Sequence, residues 1–150
     1  MKQVLLSFLF VFSVIFFTDC KKENTDNVVN SQDELSTGKL FIIGGGSRPE
    51  SMILDMVSAA GVDTGGYIII LPMSSSEPDT ASFYGKKQFF DLGFENVHAF
   101  DIRNEDDITT EIVDSVKNAS LIYMTGGDQN KFMSIIKGTK LYNAMHDAYR

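Results

Sequence analysis

The chain has a single cysteine, Cys20, which excludes a disulfide within it, and only two histidines, His98 and His146. Neither histidine has a second ligand at the spacing that zinc or iron sites require, so no metal site and no cofactor are expected. Basic residues are in the minority, 13 Lys and Arg against 20 Asp and Glu, for a formal net charge of −7. Removing residues 1–19 leaves that value unchanged, because Lys2 and Asp19 cancel. Such an acidic balance argues against nucleic acid as a partner. Long apolar runs are also missing. The longest, Val4 to Phe17, is interrupted by Ser7 and Ser13, and it falls short of the roughly 20 residues that span a bilayer.

That run follows Met1-Lys2, and together they read as the charged start and short apolar region of a secretory signal. Phe17-Thr18-Asp19-Cys20 then resembles a bacterial lipobox, with Asp19 standing where small apolar residues are usual. Lipid attachment at Cys20 is the expectation, with ordinary signal cleavage and a free cysteine as the other readings. Residues 21–38 are Lys, Glu, Asn, Asp, Ser and Thr around Val28, Val29 and Leu35. This composition buries too little apolar surface to order itself and suits a tether. The expected organisation is a signal at 1–19, a lipid-anchor cysteine and tether at 20–38, and a globular body at 39–150. The body is expected to be exported and held at a membrane through its N-terminal lipid.

From Lys39 the hydrophobic period switches repeatedly between strand and helix. Leu40-Phe41-Ile42-Ile43 leads into Gly44-Gly45-Gly46. Pro49 opens a helix with Ile53, Met56, Val57 and Ala60 on one face and Gly61 as its stop. Tyr67 to Leu71 is the second apolar run, and a less regular helix through Phe83, Tyr84, Phe89 and Phe90 closes at Gly93. Val97 to Phe100 precedes a helix carrying Ile108, Ile112, Val113 and Val116 under the acidic start Glu105-Asp106-Asp107. Leu121 to Met124 precedes Thr125-Gly126-Gly127-Asp128-Gln129 and a helix through Phe132, Ile135 and Ile136. A last helix has Thr139 as its cap and Leu141, Ala144, Met145 and Ala148 as its buried stripe.

Strand starts near 40, 67, 96 and 120 give the rhythm of repeated βα units. Fully apolar strands belong inside a parallel sheet covered on both faces, so the predicted architecture is a three-layer, doubly wound α/β fold of flavodoxin-like type with four βα units. No stop signal follows Tyr149-Arg150, and the body is expected to continue into a further strand.

In such folds ligands bind at the carboxyl ends of the strands. Gly45 and Gly46 offer backbone N–H groups to an anion or form a tight structural turn. Pro49 stands where a dinucleotide fingerprint has its third glycine, and no acidic residue ends the second strand, so a nucleotide site is the weaker reading. Pro72-Met73-Ser74-Ser75-Ser76 supplies hydroxyls without the Gly-x-Ser-x-Gly flanks of a hydrolase nucleophile, which leaves substrate hydrogen bonding by Ser75 or plain turn chemistry. His146, beside Asp147, reads as a solvated surface histidine. The strongest signal is Thr125 to Gln129: two glycines admit close backbone approach, and the following helix aims its unpaired N–H groups and positive dipole end at whatever binds. A site for a developing oxyanion and a simple turn capped by Asp128 both remain open.

Taken together, Ile42-Ile43-Gly44-Gly45-Gly46, Ile70-Leu71-Pro72 with its serines, Phe89-Phe90-Asp91-Leu92-Gly93, Ile102-Arg103 and above all Tyr123 to Gln129 resemble cyanophycinase and its relatives. These are serine peptidases akin to aspartyl dipeptidase, with a fold similar to class I glutamine amidotransferases. The resemblance covers 39–150. It implies that the Gly127 N–H contributes to an oxyanion hole and that Asp128 and Gln129 position substrate. It implies hydrolysis of peptide bonds next to aspartate, in a peptide or an arginine-bearing aspartate polymer. Gly138 to Tyr142 and Ala148-Tyr149 look like the helix before the family's nucleophile, whose serine elbow and partner side chains come later than the residues given, so the body is expected to be the N-terminal portion of such a domain. A homodimer is the candidate assembly. The competing readings are a membrane-tethered binding module without chemistry and an inactive fragment.

Overall fold

Ile68, Ile69, Ile70 and Leu71 are each 0% exposed in the computed structural model, and burial on both faces is what a continuous apolar run requires of a strand. They form β1 (Ile68–Leu71). The structure describes residues 38–62 and 65–150. The apolar run Val4 to Phe17, Cys20 and all of the tether except Gly38 lie outside the described residues.

The other strands are β2 (Val97–Ala99) and β3 (Leu121–Met124). Both pair with β1 in parallel, Ile68 opposite Val97 on one side and Leu121 on the other, so the sheet order is β2-β1-β3. The helices are α1 (Glu50–Ala60), α2 (Pro78–Phe90), α3 (Thr110–Lys117), α4 (Gln129–Ile136) and α5 (Lys140–Tyr149). Successive β1 side chains point to opposite faces. Ile68 and Ile70 pack with Ile53, Met56 and Val57 of α1 and Phe89 of α2. Ile69 and Leu71 pack with Val116 of α3, Phe132 and Ile136 of α4, and Leu141 and Ala144 of α5. The result is three layers wound in both directions, as the sequence pattern predicts.

Two expectations are corrected, one for Leu40–Ile43 and one for the start of α3. Leu40-Phe41-Ile42-Ile43, read as the first of four strands, pairs with no strand among the described residues, where the sheet has three strands, and Leu40 and Ile42 are 67% and 83% exposed. Strand propensity is a preference for a pleated, half-buried surface and makes a strand only where an edge is within bonding distance. The helix expected through Phe83, Tyr84, Phe89 and Phe90 forms as α2, with Gly85 and Phe89 buried and Phe83, Tyr84 and Phe90 facing outward. Gly85 lies so close to β1 that a Cβ there would stand 2.9 Å from Ile70 Cγ2, and this approach turns the neighbouring aromatics away. The acidic run Glu105–Asp107 forms a separate 3-10 turn capped by Asn104, and α3 starts afresh with the Thr109 side chain accepting from the Ile112 N–H. Elsewhere the local signals act as read. Gly61 ends α1 in the left-handed conformation, and the Thr139 hydroxyl caps α5 by accepting from the Tyr142 N–H.

Candidate active site

β3 delivers the chain to Thr125–Asp128 at the carboxyl end of the sheet, beside the Pro72–Ser76 turn that follows β1. The two loops are stapled together. The Thr125 N–H continues the ladder to Leu71 O at 3.1 Å, the Asp128 N–H donates to Ser74 O at 2.8 Å, and the Ser74 hydroxyl donates to Thr125 O at 2.5 Å. Lys131, one turn into α4, reaches back to donate its ammonium to Ser75 O.

Gly127 sits at the closest approach. Its φ is +147°, and a Cβ built there would lie 2.0 Å from Ser74 O, inside the van der Waals envelope of main chain that cannot swing aside. Only glycine fits this contact. The N–H groups of Gly126 and Gly127 donate to no other group among the described residues. Asp128 is the N-cap of α4, its Oδ1 accepting from the Asn130 N–H at 2.8 Å. The capping reading of Asp128 is therefore realised. Two unengaged N–H donors thus sit ahead of a helix N-terminus, on a loop fixed from both sides, an arrangement able to stabilise negative charge without reorganising.

A cavity of about 450 Å³ opens beside this loop, lined by Gly126, Gly127 and Gln129 with Ser74, Tyr142 and His146. Phe132, Met133 and Ile136 of α4 make its apolar wall. Two of these residues were not expected at this cavity from the sequence. Ser74, 7% exposed, is the serine that turns inward; Ser75 instead accepts from the Glu77 N–H in an ordinary turn and lies outside the cavity. His146, assigned to the surface, is exposed as expected but packs at a tilt against Tyr142, with ring centroids 4.5 Å apart and planes 59° apart, at the cavity rim. The Thr125 hydroxyl is buried with no hydrogen-bond partner. Gly45 and Gly46 line a separate cavity of about 370 Å³ along β3, which they share with Thr125 and Gly126. His98 is remote from the cavity, on β2, its Nε2 2.9 Å from Asn96 Oδ1. Among the described residues no group of three or more His, Cys, Asp or Glu is placed to hold a metal ion.

Beyond Ser76 lies a recess with Asp101, Arg103 and Lys131 beside the apolar Met73, Ile102 and Ile135 on its wall. The Arg103 guanidinium donates to Asp101, and that hydrogen bond raises its pKa above the ordinary value, with the Asp101 and Asp79 charges adding to the effect.

The model of peptidase family S51 matches residues 40–150. The chain belongs to peptidase family S51. Its match to the S51 model spans α1 to α5 and the Leu40–Ile43 segment, so the glycine loop and the cavity of about 450 Å³ beside it fall inside it. A crystal structure of a peptidase from an acI-B1 Actinobacterium is similar to it, with a TM-score of 0.56 and 22% sequence identity over 67% of this chain and 43% of that one. At that identity the likeness speaks to the fold. The S51 chain spans less than half the length of that peptidase. A search of curated proteins gave no match.

Proposed function

We propose that this chain supplies the oxyanion side of a serine-type peptidase that hydrolyses peptide bonds next to aspartate. The observation that carries the reading is the pair of unengaged N–H groups at Gly126 and Gly127, held by the Ser74 staple in a chain of a peptidase family. A hydroxyl nucleophile attacking a peptide carbonyl turns the carbonyl oxygen into an oxyanion, and the Gly127 N–H, backed by the α4 dipole, is a donor for it. Gln129, on the same cavity wall, has an amide able to donate to and accept from a substrate backbone. None of Ser74, Ser75 and Ser76 has the small flanking residues of a nucleophile elbow. In this reading the attacking serine comes from polypeptide beyond Arg150, as the family resemblance implies.

The test is to express the gene product through the sequence that follows Arg150 and assay blocked peptides containing aspartate on either side of the scissile bond. Cleavage beside aspartate that is lost on changing the elbow serine to alanine supports the reading. A folded product that cleaves no aspartyl peptide, or that keeps cleaving without that serine, overturns it. Export and lipid attachment at Cys20 belong to the same proposal and rest on the run before that residue. Fatty-acid label in the wild-type protein and none in Cys20→Ala is the expected outcome; label in both would remove the anchor.

A further inference from the structure

The cavity beside the glycine pair has a lining that does not suit a charged side chain. Met124, Phe132, Met133, Ile136, Tyr142 and Met145 make up most of its wall, around a space of about 450 Å³, in the size range of pockets that hold small ligands. Among the described residues that line it there is no lysine, arginine, aspartate or glutamate, and Tyr142 and His146 are its ionisable side chains. The two carboxylates next to it in sequence are engaged elsewhere. Asp128 lies outside the lining, its Oδ1 accepting from the Asn130 N–H, and Asp147 pairs with Lys117 of α3 at 3.1 Å. The Ser74 hydroxyl already donates to Thr125 O, which leaves the Gln129 amide and the loop N–H groups as the polar groups at the glycine end.

Three of the lining residues, Met124, Met133 and Met145, are methionines, whose unbranched thioethers adjust to aliphatic and aromatic shapes alike. Phe132 and Ile136, 7% and 2% exposed, are a packed floor, whereas Met124 and Met133 keep 48% and 36% of their surface exposed. Apolar area at the cavity therefore remains to be covered.

We propose that this cavity is a subsite for an uncharged apolar side chain of leucine, methionine or phenylalanine size, and that the preferred peptide joins aspartate to such a residue rather than to arginine. The assignment rests on the functional reading for one point, the position of the scissile carbonyl at the Gly127 N–H. A side chain next to that carbonyl enters the cavity, which Gly126 and Gly127 share with Met133. An arginine guanidinium there would give up water and meet no carboxylate, and an aspartate carboxylate would meet no lysine or arginine. Burial of an unpaired charge is costly. An apolar side chain carries no such cost and gains by covering the two exposed methionines. The aspartate of the bond is then held outside this cavity, and the arginine-bearing polymer implied by the family resemblance is the poorer substrate for this chain.

The test is a titration of the 150-residue chain with acetyl-Asp-Leu-amide, acetyl-Asp-Phe-amide, acetyl-Asp-Arg-amide and acetyl-Asp-Gly-amide. Affinities are read from the amide signals of Gly126 and Gly127 and the methyl signals of Met124 and Met133. The Leu and Phe peptides are expected to bind about tenfold or more tighter than the Arg and Gly peptides, with the methionine methyls shifting. In Met133→Asp, a change at a partly exposed position, the order should reverse, the Arg peptide gaining about tenfold or more over the Leu peptide. Met124→Asp is the second variant, should the first not fold. Equal affinity for the Arg and Leu peptides, or no shift at these residues with any of the four, would overturn the proposal. A gene product that cleaves beside aspartate without distinguishing leucine from arginine would keep the functional reading and reject this one. Apolar preference in binding without any cleavage would do the reverse.

Discussion

Ser74 and Gly127 show how closely single residues set the geometry of the site. The carbonyl of Ser74 accepts from Asp128 and its hydroxyl donates to Thr125, so one residue of the β1 loop fixes both flanks of the glycine pair. Gly127 must lack a side chain for that contact to exist. Gly127→Ala is therefore expected to cost on the order of 2 kcal/mol of stability, from strained backbone and displaced main chain. Urea unfolding midpoints would measure it. A substitution that left the midpoint unchanged would mean the two loops are not in the contact described. Three adjacent serines look alike in a sequence, and only the twist of the turn after Met73 decides that Ser74 faces inward and Ser75 outward. For the same reason Asp128 was legible as a cap, a local interaction, whereas the place of His146 at a cavity rim depends on how α5 packs against α4.

The elements form where local signals and a partner surface agree. α1, α4 and α5 were legible because each carries its own punctuation, Gly61 closing α1 and the caps Asp128 and Thr139 opening α4 and α5, and β1 because its apolar run is continuous. Leu40–Ile43 carries the same apolar signal as β1 and forms no strand, because a tetrapeptide holds no information about whether a neighbour lies within hydrogen-bonding distance. At the start of α3, Glu111 has its pKa lowered by its own backbone N–H and by the Thr109 hydroxyl. A carboxylate depressed on folding contributes stability that is present above its unfolded pKa and is lost as pH falls through the folded one. Glu111→Gln should then lower the unfolding midpoint at pH 7 and converge with the parent protein at pH values low enough to protonate Glu111. An equal gap at both pH values would point to some cause other than its charge. The effect is expected to be small, because the side chain is exposed and solvent screens it.

At the scale of the whole molecule, the three-stranded sheet is covered on both faces but open along β3, and an open apolar edge promotes association between copies. Ile42, 83% exposed in the unpaired Leu40–Ile43 segment, is the simplest place to interrupt it. Ile42→Lys is expected to reduce self-association of the 150-residue chain, seen as a lower weight-average mass in sedimentation, while changing stability by less than about 0.5 kcal/mol. An unchanged mass distribution would show that this segment takes no part. The staple at the site has a further consequence. Ser74 and Thr125 are 51 positions apart, so the glycine loop has no shape of its own until β1 and β3 have paired. The corner that holds the glycine pair thus depends on the paired sheet, and a short peptide from this region would lack it. Any antibody or inhibitor raised against its geometry would report completed topology and would be blind to the unfolded chain.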